Sequence, residues 1–95
     1  MKFETISINQ LKNEPLHIVI LTLIASGYEI SMTSWFDEIY PFNGICVALR
    51  KGDLYSKARS RWEDLSAYED PLKHVILVLL EQLEKESSRQ KQTLL

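Results

Sequence analysis

A chain of 95 residues with 45% hydrophobic and 25% charged residues can bury one core but not two. Its apolar runs are shorter than the roughly 20 residues of a membrane span, which excludes that class. A formal net charge of −2 makes the case for nucleic-acid binding weak on composition alone. We therefore expect a single α+β domain over residues 1–95. We place it in the cytoplasm, because the N-terminus lacks a secretory leader pattern and the single Cys46 cannot form an internal disulfide.

The charges are unevenly distributed along the chain. Residues 50–61 hold five Lys or Arg and one Asp, between two acidic segments. Residues 1–49 hold two Lys and five acids, and residues 62–86 hold two Lys and seven acids. Two interpretations stay open: the basic segment pairs with these acids inside the fold, or it forms a surface that binds an anion.

The N-terminal third predicts a lead-in followed by a helix. Residues 1–13 alternate weakly, which is typical of either a fourth, N-terminal edge strand or an irregular segment. A helix then opens at Asn13 or Glu14, with Pro15 in its first turn, where the missing N–H costs nothing. Gly27 is placed to end it, since glycine takes a positive φ at low cost.

The middle of the chain predicts three antiparallel strands. Alternating apolar residues from Tyr28 to Met32 indicate a half-buried strand, and a loop follows at about residues 36–43. Residues 45–51 and 54–62 then predict a hairpin with the two-residue turn Gly52-Asp53.

That turn sets the register of the hairpin. Pairing Lys51 with Leu54 puts large residues opposite small ones on one face, as a covering helix requires. The other face would carry four cations and a tyrosine: Arg50, Tyr55, Lys57, Arg59 and Arg61. Cations at every second strand residue repeat at about 6.6 Å and could follow a phosphate backbone. A solvated sheet face is the alternative.

A second helix closes the fold. Asp70 is suited to its N-cap and Pro71 to its first position. Residues 70–80 repeat residues 14–24 at six of eleven positions, which we interpret as the same helix start used twice. The helix should continue through Glu86, and residues 87–95 should fray.

The predicted architecture is two helices on one face of a small three-stranded antiparallel sheet, in the order α-β-β-β-α. Double-stranded RNA-binding domains have this element order. The second helix departs from them, because it begins Asp70-Pro71-Leu72-Lys73-His74 without their lysine cluster. We therefore infer no membership of that family.

Both helices carry more apolar positions than one three-stranded sheet can cover. In a chain this short, the excess predicts a homodimer. The predicted interface comprises the four apolar residues outside the main stripes: Ile18, Leu21, Leu77 and Val78.

An aromatic and acidic segment follows the first strand. Aromatic side chains dominate protein-binding hot spots, so we expect this loop to dock another protein. The predicted contact residues are Trp35, Phe36, Asp37, Glu38, Tyr40 and Phe42. In the alternative arrangement, Trp35 and Phe42 turn inward and cover the end of the core.

No pattern of residues indicates catalysis, a metal or a cofactor. The two histidines, His17 and His74, each fall early in a helix without a partner at motif spacing, and Cys46 lies in mid-strand. Glycine-rich phosphate loops, CxxC pairs and nucleophile motifs are missing from the sequence. The acids around positions 63–70 are explained by helix capping.

The function expected from this sequence is that of a small non-enzymatic regulatory protein. It would occupy a surface on another protein as an accessory factor or inhibitor, of the kind that phages and mobile elements encode. The alternative is a nucleic-acid-binding regulator that uses the basic face of the hairpin.

Overall fold

The computed structural model describes the backbone of residues 8–36 and 43–93, with side chains to Ser87. Three antiparallel strands form one sheet in the order β1-β2-β3, which confirms the predicted α+β class. The elements in chain order are α1 (Ile8–Lys12), α2 (Leu16–Ala25), β1 (Glu29–Phe36), β2 (Asn43–Lys51), β3 (Leu54–Arg61), α3 (Trp62–Leu65) and α4 (Pro71–Thr93).

The hairpin forms in the predicted register. Lys51 pairs with Leu54, and each further predicted pair follows, to Gly44 opposite Arg61. Gly52 has a φ of +60° at the first central position of the turn, where a type II′ turn requires glycine. Strand β1 adds antiparallel to β2 and is longer than predicted, because its pairing continues to Phe36.

One apolar core joins the helices to one face of the sheet. Helix α4 packs against β3 and β2, while α2 packs against β1 and α4. The side chain of Ser56 on β3 donates a hydrogen bond to Gln82 of α4 at 2.6 Å. The buried side chains of this core are Leu11, Val19, Leu23, Ile45, Val47, Leu49, Leu65, Val75, Ile76, Leu77, Leu79, Leu80 and Leu83.

Two helix ends follow the capping chemistry of the sequence, whereas the predicted opening of the first helix at Asn13 or Glu14 is wrong, because α2 begins at Leu16 with Pro15 as its N-cap. Gly27, with a φ of +95°, donates its N–H to Ile24, and Tyr28 donates to the carbonyl of Leu23 at 3.0 Å. These two bonds make a Schellman motif, which satisfies the last carbonyls of α2. At α4, the Asp70 carboxylate accepts a hydrogen bond from the backbone N–H of Lys73 at 3.4 Å, as an N-cap does.

The segment before the first predicted helix is itself partly helical. Residues 8–12 form α1, so neither alternative left open for residues 1–13, an edge strand or an irregular segment, holds for this part, and residues 1–7 lie outside the described chain. Leu11 of α1 is buried in the core. The Lys73 ammonium group donates to the carbonyls of Lys12 at 2.9 Å and Glu14 at 3.1 Å. These contacts attach the turn between α1 and α2 to α4.

Helix α1 changes the predicted dimer interface. Leu77 is only 8% exposed and belongs to the core, so its assignment to a surface between two copies is wrong. The sequence argument considered only the sheet as a cover for α4, and α1 supplies another from the same chain. Of the other predicted positions, Ile18 is half-buried, whereas Leu21 is 60% exposed and Val78 is 38% exposed.

Helix α4 is the longest element. Its helical backbone extends beyond Glu86 to Thr93, so it includes most of the segment for which fraying was predicted. None of the described helices combines the length and apolar character that a membrane span requires.

Glu84 on α4 provides a test of how this helix packs. Partial burial and the neighbouring Glu81 raise the pKa of Glu84 above its usual 4.5. The native state then holds this proton more tightly than the unfolded chain, so the ionised carboxylate lowers stability at neutral pH. We expect Glu84→Gln to raise the melting temperature at pH 7. This gain should shrink as the pH falls through the raised pKa and vanish below pH 4.5.

Thermal unfolding at pH 7 and pH 4 measures the effect. Glu63→Gln, which removes an exposed carboxylate from α3, is the matched control. An equal gain in melting temperature for Glu84→Gln at both pH values would contradict a raised pKa of Glu84 in the folded state.

Candidate binding face

The side of the sheet away from the core has a distinctive composition. Side chains of paired residues share a face, so the register defines this set. We call it the open face; it comprises Glu29, Ser31, Thr33 and Trp35 of β1, Gly44, Cys46, Ala48 and Arg50 of β2, and Tyr55, Lys57, Arg59 and Arg61 of β3. The small residues of β2 form its floor, and the cations of β3 form one wall.

Two arginines on the open face lie against aromatic rings. The Arg59 guanidinium carbon is 4.1 Å from the centroid of the Trp35 ring, and that of Arg50 is 5.3 Å from the centroid of Tyr55. Cation–π attraction holds a guanidinium group in place while its N–H groups remain available. The rings therefore support the arginines, and the arginines occupy ring surface that a stacked base would need.

Three cations of the basic segment have no acidic partner within the described part of the chain. Arg50, Lys57 and Arg59 have no carboxylate within 4.0 Å there, and the salt bridge found joins Lys85 to Glu81 on α4 at 3.4 Å. Glu29 is opposite Arg50 in the register but outside ion-pair distance. Of the two interpretations left open by the sequence, this favours an anion-binding surface over internal pairing for these three cations.

Trp35 lies at the end of the open face rather than in a loop. It is paired with Gly44 in the last part of β1, and its ring crosses this glycine. The Trp35 indole N–H is buried and has no hydrogen-bond partner among the described residues. Phe36 points to the other face and is 68% exposed. The rest of the predicted docking loop, Asp37, Glu38, Tyr40 and Phe42, lies outside the described residues.

A groove runs beside β3, between this strand and the first turns of α4. It has a volume of about 590 Å³. Apolar residues Leu65, Val75 and Val78 line it together with the β3 segment from Ala58 to Arg61, and Trp35 and Asp64 also contribute to its lining. The Tyr68 and His74 rings stack at 3.8 Å along its wall. The sequence analysis missed this groove, because it is formed by the linker between α3 and α4.

The histidines and the cysteine considered as catalytic or metal-binding candidates do not lie together in the described part of the chain. His17 is exposed on α2, while His74 stacks on Tyr68, so the two histidines have separate surroundings. Cys46 is half-buried on the floor of the open face, opposite Arg59. Among the described residues, no three His, Cys, Asp or Glu side chains approach one another as a metal site requires.

No protein-family model, curated protein or solved structure matches the chain. The open face and the groove therefore have to be interpreted from their own geometry.

Proposed function

We propose that this chain is a small non-enzymatic protein-binding module, which regulates a partner protein by occupying part of its surface. The observation that carries the proposal is the pair of cations Lys57 and Arg59 on β3, without carboxylate partners in the described chain, next to a partly apolar groove. A partner with acidic and apolar side chains complements both features.

Nucleic-acid binding is the competing function, and two observations disfavour it. Arg59 and Arg50 lie over the aromatic rings that bases would stack on. The groove beside the cations contains the aliphatic side chains Leu65, Val75 and Val78, which offer nothing to a phosphate, and the carboxylate of Asp64, which repels one. A protein ligand uses both surfaces, whereas a nucleic acid uses only the cations.

The proposal includes self-association, through a smaller set of the predicted interface residues. Leu21 and Ile24 are the exposed apolar side chains of α2, and they are suited to contact a second copy. We retain the expectation of a homodimer on Leu21, with Leu77 removed from the interface, and add Ile24, which was not among the predicted interface residues and is 53% exposed. We also retain the cytoplasm as its location, since Cys46 is a free thiol.

A display selection tests the proposed function without a known partner. Random dodecapeptides are selected on the immobilised protein and then measured against Lys57→Glu/Arg59→Glu in the same chain. We expect enriched acidic sequences whose affinity falls about tenfold or more in this double variant, because attraction becomes repulsion. Lys85→Glu, a cation on α4, is the matched control and should bind like the wild type.

Single-stranded DNA and RNA are titrated in parallel at about 50 and 200 mM salt, where phosphate contacts weaken steeply. Salt-sensitive binding of these oligonucleotides that is lost in Lys57→Glu/Arg59→Glu would replace the proposal by the nucleic-acid function. A selection that enriches no peptide with this charge dependence would also overturn it.

A further inference from the structure

The outer edge of β3 is exposed to an incoming strand. In the order β1-β2-β3, strand β3 pairs with β2 on one side, and no other strand of the described chain pairs with its outer edge. In a hairpin with a two-residue turn, the pair next to the turn, here Lys51 and Leu54, is hydrogen-bonded. Hydrogen-bonded pairs alternate with non-hydrogen-bonded pairs along an antiparallel ladder, and residues of the second kind direct their backbone groups away from the partner strand. Tyr55, Lys57 and Arg59 therefore direct their backbone N–H and C=O groups away from β2.

These outward groups are not used elsewhere in the described chain. None of the backbone hydrogen bonds outside its helices and strands involves Tyr55, Lys57 or Arg59. An unpaired edge is a template for another strand, and proteins often protect such edges with charged side chains. The cations of β3 provide this protection against basic or apolar strands. They do not protect against an acidic one.

The two surfaces beside this edge determine which strand fits. Successive side chains of an added strand alternate between the two faces of the sheet. On the open face they would lie next to Lys57 and Arg59, which lack carboxylate partners in the described chain. On the other face they would lie over Leu65, Val75 and Val78, the apolar part of the groove that Arg59 and Arg61 also line.

We propose that the β3 edge binds an extended segment of a partner protein as a fourth strand. Acidic side chains at every second position of this segment face Lys57 and Arg59, and the apolar side chains between them enter the groove. This inference rests on the proposed protein-binding function and specifies its ligand. A nucleic-acid strand does not fit this edge, because it has no row of backbone amides to match the ladder.

The probe is a labelled synthetic peptide, Asp-Val-Glu-Leu-Glu-Val-Asp, titrated by fluorescence anisotropy. Seven derivatives each carry one N-methylated amide. A methyl group removes a donor and blocks the close approach of two strands, so we expect about tenfold or greater loss at alternate positions and little change between them. A loss of affinity that does not alternate along the peptide, or no binding of the unmethylated peptide, would overturn the inference.

Variants of the protein test the groove. Val78→Glu places a charge in it and should weaken peptide binding about tenfold or more. Met32→Glu introduces the same charge at an equally exposed apolar position on β1 and should leave binding unchanged. Circular dichroism establishes that both variants are folded. Wild-type affinity in folded Val78→Glu would contradict the role of the groove.

The results separate this inference from the proposed function. Display-selected peptides that depend on Lys57 and Arg59, but show no alternation on N-methylation, would overturn the strand addition and leave the protein-binding function standing. Oligonucleotide binding without any peptide binding would overturn both.

Discussion

Replacing Gly44 by alanine should lower the free energy of unfolding by about 3 kcal/mol, at the upper end of the usual cost of overpacking. Gly44 is buried in β2, and a Cβ atom there would overlap the backbone carbonyl oxygen of Ser60. It would also lie 2.8 Å from the Cζ2 atom of Trp35. Because Ser60 belongs to the neighbouring strand, its backbone cannot move aside without disturbing the β2–β3 ladder.

Urea unfolding followed by circular dichroism measures this loss. Cys46→Ala, two residues along the same face, is the matched control and should change stability much less. Trimming the indole in Trp35→Ala/Gly44→Ala should not restore stability, since the overlap with Ser60 remains. If this double variant is as stable as Trp35→Ala alone, the ring is the obstacle and our account of Gly44 is wrong.

Shortening Leu77 to alanine should destabilise the monomer by about 3 kcal/mol, within the range for a buried leucine. Leu77 packs in the core with Leu11 of α1, so the variant leaves a cavity inside one chain. Leu21→Ala should change the stability of the monomer by about 0.5 kcal/mol or less, because Leu21 is 60% exposed within one chain. The sequence alone treated these two leucines as equivalent.

The measurement is urea unfolding at two protein concentrations tenfold apart, with light scattering to determine the oligomeric state. We expect the cost of Leu77→Ala to be the same at both concentrations. A cost that grows on dilution would return Leu77 to an interface between copies. A wild-type monomer at tens of micromolar would remove the homodimer from the proposal.

The hairpin could be predicted residue by residue because its determinants are local. A two-residue turn with glycine first has few alternatives, and the pairing of Lys51 with Leu54 determines the partner of each following residue. The positions of Lys57, Arg59 and Arg61 on one face of β3 could therefore be predicted from the sequence. The caps at Gly27 and Asp70 follow for the same reason, since each depends on neighbours within a few residues.

Trp35 and Leu77 show where such reasoning stops. The aromatic segment predicted a loop from its composition, yet β1 continues through Trp35 because β2 offers a pairing partner up to Asn43. Leu77 was assigned to a dimer because nothing in α4 itself reveals that α1 covers it. In both cases the deciding contact comes from an element distant in the chain.

The sequence was sufficient for the fold class, the register of the β2–β3 hairpin, the caps at Gly27 and Asp70 and the cations of the open face, since periodicity and turn chemistry act over a few residues. The packing of the chain decided the rest. It buried Leu77 under α1, placed the Trp35 ring beneath Arg59, left Lys57 and Arg59 without carboxylate partners in the described chain, and opened a groove beside β3. Each of these depends on distances between elements far apart in sequence, which local propensities do not encode.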